Sequence, residues 1–286
     1  MIWLIGNKGM LGSDVERLLT SRKLNFVVSD KEVDICNADQ LKKFIEAKKI
    51  NWIINCSAYT AVDRAEGEME LAYKINSDGV LNITNVAREI GAKLIHLSTD
   101  YVFDGNKAAE YFENDVPNPL GIYGKSKVQG EKNIRNNFEK HFIIRTAWLY
   151  GKNGNNFVCS MIKLFNEKDV VKVVNDQCGS PTFTKDLAKF ILNIVVSNSV
   201  KYGIYNFTND GATTWYEFAC KIYEFAKEYG LVENDVSIVP ISTKDYPTRA
   251  IRPKNSCLSK NKMLDTFGFK NRSWNSALDE FIKSLT

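Results

Sequence analysis

Tyr123 and Lys127 stand four residues apart in Ile122-Tyr-Gly-Lys-Ser-Lys-Val128. On a helix that spacing places the phenol and the ammonium on one face, aimed into one site. A Lys⁺ beside a tyrosine favours phenolate and draws the phenol from ~10 toward the range of proton transfer. Such a pair can protonate a ketone oxygen while a hydride reaches its carbon. Spacing alone does not single it out, because Tyr223 and Lys227 repeat it. That copy lies in Trp215-Tyr-Glu-Phe-Ala-Cys-Lys-Ile-Tyr-Glu-Phe-Ala226, an amphipathic pattern whose tyrosine is expected to pack in a core. The chain has two histidines, His96 and His141, both in strand-like runs. A His triad or multi-His metal site is therefore not expected, and proton transfer near neutral pH falls to Tyr123.

A hydride donor must sit beside the pair, and the N-terminus has its parts. The apolar run Ile2-Trp-Leu-Ile5 leads into Gly6-Asn-Lys-Gly-Met-Leu-Gly12 and then the helical pattern Val15, Leu18, Leu19. A strand, a glycine turn and a helix start form the first unit of a dinucleotide-binding fold. Gly6 suits the sharp turn, Gly9 a close backbone approach to pyrophosphate, and Gly12 tight helix–strand packing. Asn7, Lys8, Met10 and Leu11 complete this cofactor turn, with the pyrophosphate on free helix N–H groups. Asp30, eighteen residues after Gly12, is placed to accept hydrogen bonds from the adenosine ribose and to repel a 2′-phosphate. Lys31 and Lys8 would attract that phosphate, so NADH and NADPH both stay open. Asp34, with Ile35, either approaches the adenine or caps a helix.

Further along, Asn55-Cys56-Ser57-Ala58 closes a third strand, and its small side chains permit close approach of a cofactor, with Tyr59 next in line. In Val62-Asp63-Arg-Ala-Glu66 the acids form a candidate carboxylate pair, although first-turn acids also stabilise helix starts, which is the preferred reading. A fourth strand ends in Leu97-Ser98-Thr99-Asp100-Tyr101, where a hydroxyl can meet a substrate oxygen and Asp100 can equally serve a turn. Trp148 follows the fifth strand and can stack on a sugar or nicotinamide face or pack in the core. Arg249 and Arg252 stand in a loop-like stretch as phosphate ligands or solvated surface.

The elements that position these residues alternate. Strand-like runs are Phe26–Val28, Trp52–Asn55, Lys93–Leu97, Phe142–Arg145 and Val170–Val174, with helices over 38–48, 67–90, 119–138 and 155–167. Alternation at this spacing predicts an α/β fold: a doubly wound parallel Rossmann-type sheet with ligands at the strands' C-terminal ends. Past about residue 150 the alternation weakens. Residues 1–150 plus about 181–206 are expected to form the dinucleotide-binding domain, and about 151–180 plus 207–286 a smaller substrate-binding lobe.

Bulk properties exclude several classes. Hydrophobic residues make up 44% and charged residues 25%, with no apolar run near the ~20 residues of a membrane span. The strand-like first residues leave no room for a signal peptide, and six scattered cysteines suit free thiols, so a cytoplasmic chain is expected. A net charge of +4 is interspersed, without the basic run that nucleic acid would require.

Taken in order, Gly6–Gly12, Asn55-Cys-Ser-Ala-Tyr-Thr-Ala-Val-Asp-Arg-Ala-Glu66, Ser98-Thr-Asp-Tyr-Val-Phe-Asp-Gly105, Pro119–Lys127, Arg145–Gly151, Asn175–Thr182 and Arg252-Pro-Lys-Asn-Ser256 resemble the extended short-chain dehydrogenase/reductase family, most closely its dTDP-4-dehydrorhamnose reductase branch. The resemblance spans nearly the whole chain. It implies NADPH or NADH as cofactor and reduction of the C4 ketone of dTDP-4-dehydro-β-L-rhamnose to dTDP-β-L-rhamnose. It implies a triad in which Thr99 holds the carbonyl oxygen, Tyr123 donates the proton, and Lys127 binds the nicotinamide ribose and tunes Tyr123. Val62, Asp63, Asp100, Tyr101, Trp148 and Arg252 would contact the nucleotide sugar. Some members bind Mg²⁺ at a dimer interface through glutamates near the first helix. Asp14 and Glu16 stand there in this chain, so no metal is carried over and a homodimer stays open. Two alternatives remain: a reductase of another nucleotide-linked 4-keto-6-deoxy sugar, and a non-catalytic dinucleotide-binding regulatory subunit. The intact Thr99/Tyr123/Lys127 set argues against the second.

Overall fold

The computed structural model describes residues 1–286. Five strands, β1 (Ile2–Ile5), β2 (Phe26–Ser29), β3 (Trp52–Asn55), β4 (Lys93–Thr99) and β5 (His141–Thr146), join Gly203–Asn206 in one six-stranded sheet. Across the sheet the order is Gly203–Asn206, β5, β4, β3, β1, β2, and every pairing is parallel. The chain runs outward from β1 to β2, then returns to β3 and continues the other way. The order therefore reverses between β1 and β3, where a crevice opens at the strands' C-terminal ends.

Alternation within the strands explains the helices on both faces. Ile2, Leu4, Trp52, Ile54, Phe142 and Ile144 enter a core with the helices α1 (Met10–Ser21) and Thr184–Val196. Trp3, Ile5, Ile53 and Ile143 point the other way, onto α2 (Ala38–Ile45) and the helices Val80–Ile90 and Ile122–Asn137. Strands buried on both faces are mostly apolar, and the polar residues they carry, such as Asn55, His96 and Arg145, are buried with hydrogen-bond partners.

A third core lies outside the sheet. Tyr150, Phe165, Phe183, Phe218 and Phe281 gather there from segments scattered between residues 150 and 282. Val170–Val174 belongs to this lobe, where it pairs in parallel with Ser237–Ile241 and not with the large sheet. The expected helix over 67–90 is interrupted. Short helices at Val62–Ala65 and Met69–Tyr73 give way to a wider π turn at Lys74–Gly79 before Val80–Ile90 begins. The cause is Asn76, completely buried, whose amide bonds both the N–H (2.9 Å) and the carbonyl (3.0 Å) of Tyr59. π turns of this kind recur beside functional sites.

Candidate active site

Three chain segments meet where β1 and β3 end. Gly6 turns with φ +79°, and a Cβ on it would fall 2.8 Å from the Ser57 backbone nitrogen. A Cβ on Gly12 would fall 2.0 Å from the Gly6 carbonyl oxygen. Both positions therefore demand glycine. Helix α1 starts after Gly9 without any side-chain cap, which leaves its first N–H groups for an anion. Asn7 adds a buried Oδ1 with no protein partner, while its Nδ2 donates to Glu16 at 2.9 Å. The uncapped helix start and the glycine-only cradle fit the pyrophosphate of a dinucleotide.

At the ribose position the sequence reading named Asp30, Lys31 and Lys8 but missed Glu32. The Asp30 N–H donates to Glu32 Oε1 at 2.7 Å, and Lys8 Nζ lies 3.6 Å from Glu32 Oε2. Lys8 and Glu32 thus stand together beside Asp30, so charges of both signs are present there. Asp34 turns its carboxylate to the Cys36 N–H at 2.9 Å, and Asn37, not Asp34, caps α2. Ile35 and Tyr59 are buried, and Cys56, Ser57 and Ala58 form the partly open edge of β3.

Tyr123, Lys127 and Glu131 share one face of the helix Ile122–Asn137 at successive turns. Four anchors hold that face against the sheet. Glu66 Oε1 accepts the Ile122 N–H at 2.8 Å, capping a helix whose own cap position is Gly121. Ser126 accepts from Asn76 at 3.0 Å. Lys127 Nζ donates to the Leu97 carbonyl at 2.6 Å. Glu131, completely enclosed, takes a two-point ion pair from Arg145 (2.9 and 2.7 Å) and the Ser98 hydroxyl at 2.5 Å.

The electrostatics differ from the expectation of a phenol drawn down by its lysine. Burial pushes the Tyr123 phenol up; Asp100 and Tyr101 add to the rise, and the neighbouring Thr99 hydroxyl opposes it. Burial also draws Lys127 down to about 8, against the pull of Glu131. Desolvation penalises the charged form of each, so the phenol keeps its proton and the amine holds its own weakly. Thr99 is buried and donates to Asp100 Oδ1 at 3.0 Å while accepting the Tyr101 N–H at 3.2 Å. Asp100 is pushed up to about 6 by burial, and its Oδ2 has no partner.

On the other side of Tyr123, the loop around Arg252 meets Asp63 and Tyr101. Arg252 donates to Asp63 Oδ2 at 2.8 Å and to the Tyr101 hydroxyl at 3.0 Å. Asp63 also accepts the Ala250 N–H at 3.1 Å, and Tyr101 meets Tyr123 edge-to-face with centroids 5.6 Å apart. Asp63 and Glu66 are therefore no carboxylate pair: one braces the arginine loop, the other caps the tyrosine helix. Val62 starts the short helix that carries both, and Arg249 is exposed. Trp148 is present at the cleft in a left-handed backbone conformation, φ +48°. One ring face lies on Trp215, with centroids 3.5 Å apart and planes 10° from parallel. A Cβ on Gly179 would fall 2.5 Å from the same ring. The ring is packed against these two, so the face that lies on Trp215 is not free for stacking. Trp215 and Asn76 escaped the sequence reading of the site, and Glu66 was named there but not as the cap of the tyrosine helix; the one local signal was the polar Asn76-Ser-Asp-Gly79 inside an apolar helical pattern.

A family model described as the RmlD substrate binding domain matches residues 1–286. The dTDP-4-dehydrorhamnose reductase of Aggregatibacter actinomycetemcomitans is 41% identical over 281 residues, covering 96% of each chain. Among solved structures, a dTDP-4-dehydrorhamnose reductase from Clostridium acetobutylicum superposes with a TM-score of 0.93 at 40% identity, covering 99% of both chains. One from Bacillus anthracis in complex with NADP also gives 0.93, at 39% identity over 99% of this chain and 98% of that one. The family model and these relatives cover the cofactor turn, the Tyr–Lys helix and the arginine loop alike, and the chain belongs to the RmlD substrate binding domain family.

Proposed function

We propose that this chain is an oxidoreductase that reduces the C4 ketone of dTDP-4-dehydro-β-L-rhamnose with NADPH or NADH, giving dTDP-β-L-rhamnose. The observation that carries the reading is the braced Tyr123–Lys127–Glu131 face, set at the strand ends beside the uncapped start of α1. Gly6–Gly12 and Asn55–Ala58 would hold a reduced nicotinamide, which would supply the hydride when bound. Tyr123 keeps its proton at neutral pH because burial disfavours phenolate, and it gives that proton to the C4 oxygen. Lys127 in its ammonium form offsets the charge left on the phenolate. Thr99 orients the carbonyl oxygen by turning its hydroxyl from Asp100. Arg252, held in a fork by Asp63 and Tyr101, meets the diphosphate, and Trp148 borders the sugar.

Residues 1–150 plus about 181–206 act as the cofactor domain, and about 151–180 plus 207–286 as the substrate lobe; the separate aromatic core with Phe165, Phe218 and Phe281 supports a second lobe, and Tyr150 and Phe183 reach into it from the cofactor domain. No helix is long and apolar enough to cross a membrane. Six free thiols accord with work in the cytoplasm. The test is a panel of dTDP-, UDP- and GDP-linked 4-keto-6-deoxy sugars assayed with NADH and NADPH through nicotinamide absorbance. Highest kcat/KM on dTDP-4-dehydro-β-L-rhamnose is expected. Faster turnover of another sugar would reassign the substrate, and no turnover of any would leave a binding protein.

A further inference from the structure

Asn55, completely buried at the end of β3, has one permitted side-chain orientation. The Ser57 backbone N–H approaches its Oδ1 at 3.0 Å and the Ser57 hydroxyl at 2.6 Å. A backbone N–H can only donate, so the atom it meets must be the amide oxygen. The other end, Nδ2, then donates to Nδ1 of His96 at 3.1 Å. His96 is completely buried, and burial and the charge of Lys127 hold it well below the usual histidine range. Its ring is therefore neutral, with Nδ1 accepting and the proton on Nε2. That Nε2 lies 3.3 Å from Lys127 Nζ. An ammonium has three donors and no lone pair, so it would face the Nε2–H donor to donor. A neutral amine accepts that hydrogen and still donates to the Leu97 carbonyl.

We propose that His96 is a positioning residue for Lys127: locked as the Nε2–H tautomer by Asn55 and Ser57, it opposes the ammonium and makes Lys127 exchange its proton within the working pH range of the enzyme. The other groups around Lys127 bear on the same balance. On its own helix, Tyr123 precedes it by a turn and Glu131 follows by a turn; Glu131 favours the ammonium but shares its charge with Arg145 of β5. From β4 come His96 and, past Thr99, the Asp100 carboxyl. His141 at the start of β5 acts on His96, and from β3 come the uncharged Asn55 and the Cys56 thiol, pushed up to about 12 by burial. The catalytic meaning of the inference rests on Lys127 being the lysine of the proton-transfer pair; the tautomer itself does not.

The experiment uses the full chain labelled with ¹⁵N-histidine, with His96 identified by the signals lost in His96→Asn. Expected is a neutral Nε2–H ring between about pH 6 and pH 9. Its Nε2 resonance should inflect near about 8 as Lys127 loses its proton, and the inflection should vanish in Lys127→Met. An Nδ1–H tautomer, an imidazolium at neutral pH, or a flat resonance in the wild type overturns the proposal. His96→Asn keeps an acceptor for Asn55 and removes the donor against Lys127. The alkaline limb of its kcat/KM profile should therefore move up by about half a pH unit or more. A folded His96→Asn enzyme with an unmoved limb overturns the proposal as well. Wild-type turnover in Lys127→Met would instead sink the catalytic reading of the pair, whatever the tautomer.

Discussion

The chain holds the Tyr-x-x-x-Lys spacing twice, and the two copies have opposite surroundings. Tyr123 and Lys127 are pressed against β4, where burial pushes the phenol up and draws the lysine down to about 8. Tyr223 and Lys227 face the lobe's surface loop. The Tyr223 hydroxyl donates to the Asn234 carbonyl at 3.0 Å and accepts the Val236 N–H at 3.2 Å, while its ring meets Phe165 edge-to-face. Lys227 bonds Asp235 at 3.0 Å, and that carboxylate raises its affinity for a proton. One lysine is driven toward losing its charge and the other toward keeping it. Identical spacing brings a tyrosine and a lysine together in both places, and burial at the first and the Asp235 carboxylate at the second set their ionisation apart.

The sharpest way to break this contrast is to remove the first phenol. Tyr123→Phe should lower kcat by ~10²–10⁴ while NADPH affinity, measured by fluorescence titration, survives. Near-normal turnover would place the acid elsewhere. What else sets the first pair apart is the arginine rim beside it. Arg252→Ala should weaken dTDP by about 2–3 kcal/mol in calorimetry, the upper range for hydrogen bonds to charged groups, with NADPH binding unchanged. Because the same change strips Asp63 of its cation, Asp63→Asn should be run in a double-mutant cycle; full additivity would show that the pair does not act as a unit.

Smaller effects follow at the far end of the cofactor. Both NADH and NADPH should serve, and Asp30→Ala should shift the kcat/KM ratio toward NADPH by a factor of a few, through relief of repulsion at an exposed site. An unchanged ratio would move the ribose away from Asp30, with Glu32 the next residue to test. The second pair should matter least. Tyr223→Phe removes two hydrogen bonds at a half-exposed loop, so it should cost about 1 kcal/mol in urea unfolding and leave kcat untouched. A fall in kcat would show that the lobe's loop couples to chemistry.

What could be read in advance were the features carried by local chemistry. Gly6 and Gly12 were legible because a turn of that tightness admits nothing larger. The strands of the sheet were legible as apolar runs, since both faces are covered. Val170–Val174 shows where this stops: its run looks like the others, yet its partner is Ser237–Ile241, and no local pattern distinguishes the two destinations. The cap from Glu66 to Ile122 and the contact of Lys127 with His96 span 56 and 31 residues. Both depend on tertiary placement alone. Trp148 was found by its position at a strand end, but its exposed surface was set by Trp215, which lay hidden in an ordinary amphipathic helix.

The Glu66 cap makes the tyrosine helix dependent on its neighbours. Helix Ile122–Asn137 begins after Gly121, which offers no side-chain oxygen, and its pattern includes Gly124 and Gly130. Such a segment is a poor helix by itself, since nucleation is costly and each interior glycine opposes it by about 1 kcal/mol. Its first turn is completed only when the segment around Val62–Ala65 has docked and brought Glu66 to Ile122. The rigid frame of Tyr123 therefore rests on the docking of that segment and not on the helix's own propensity.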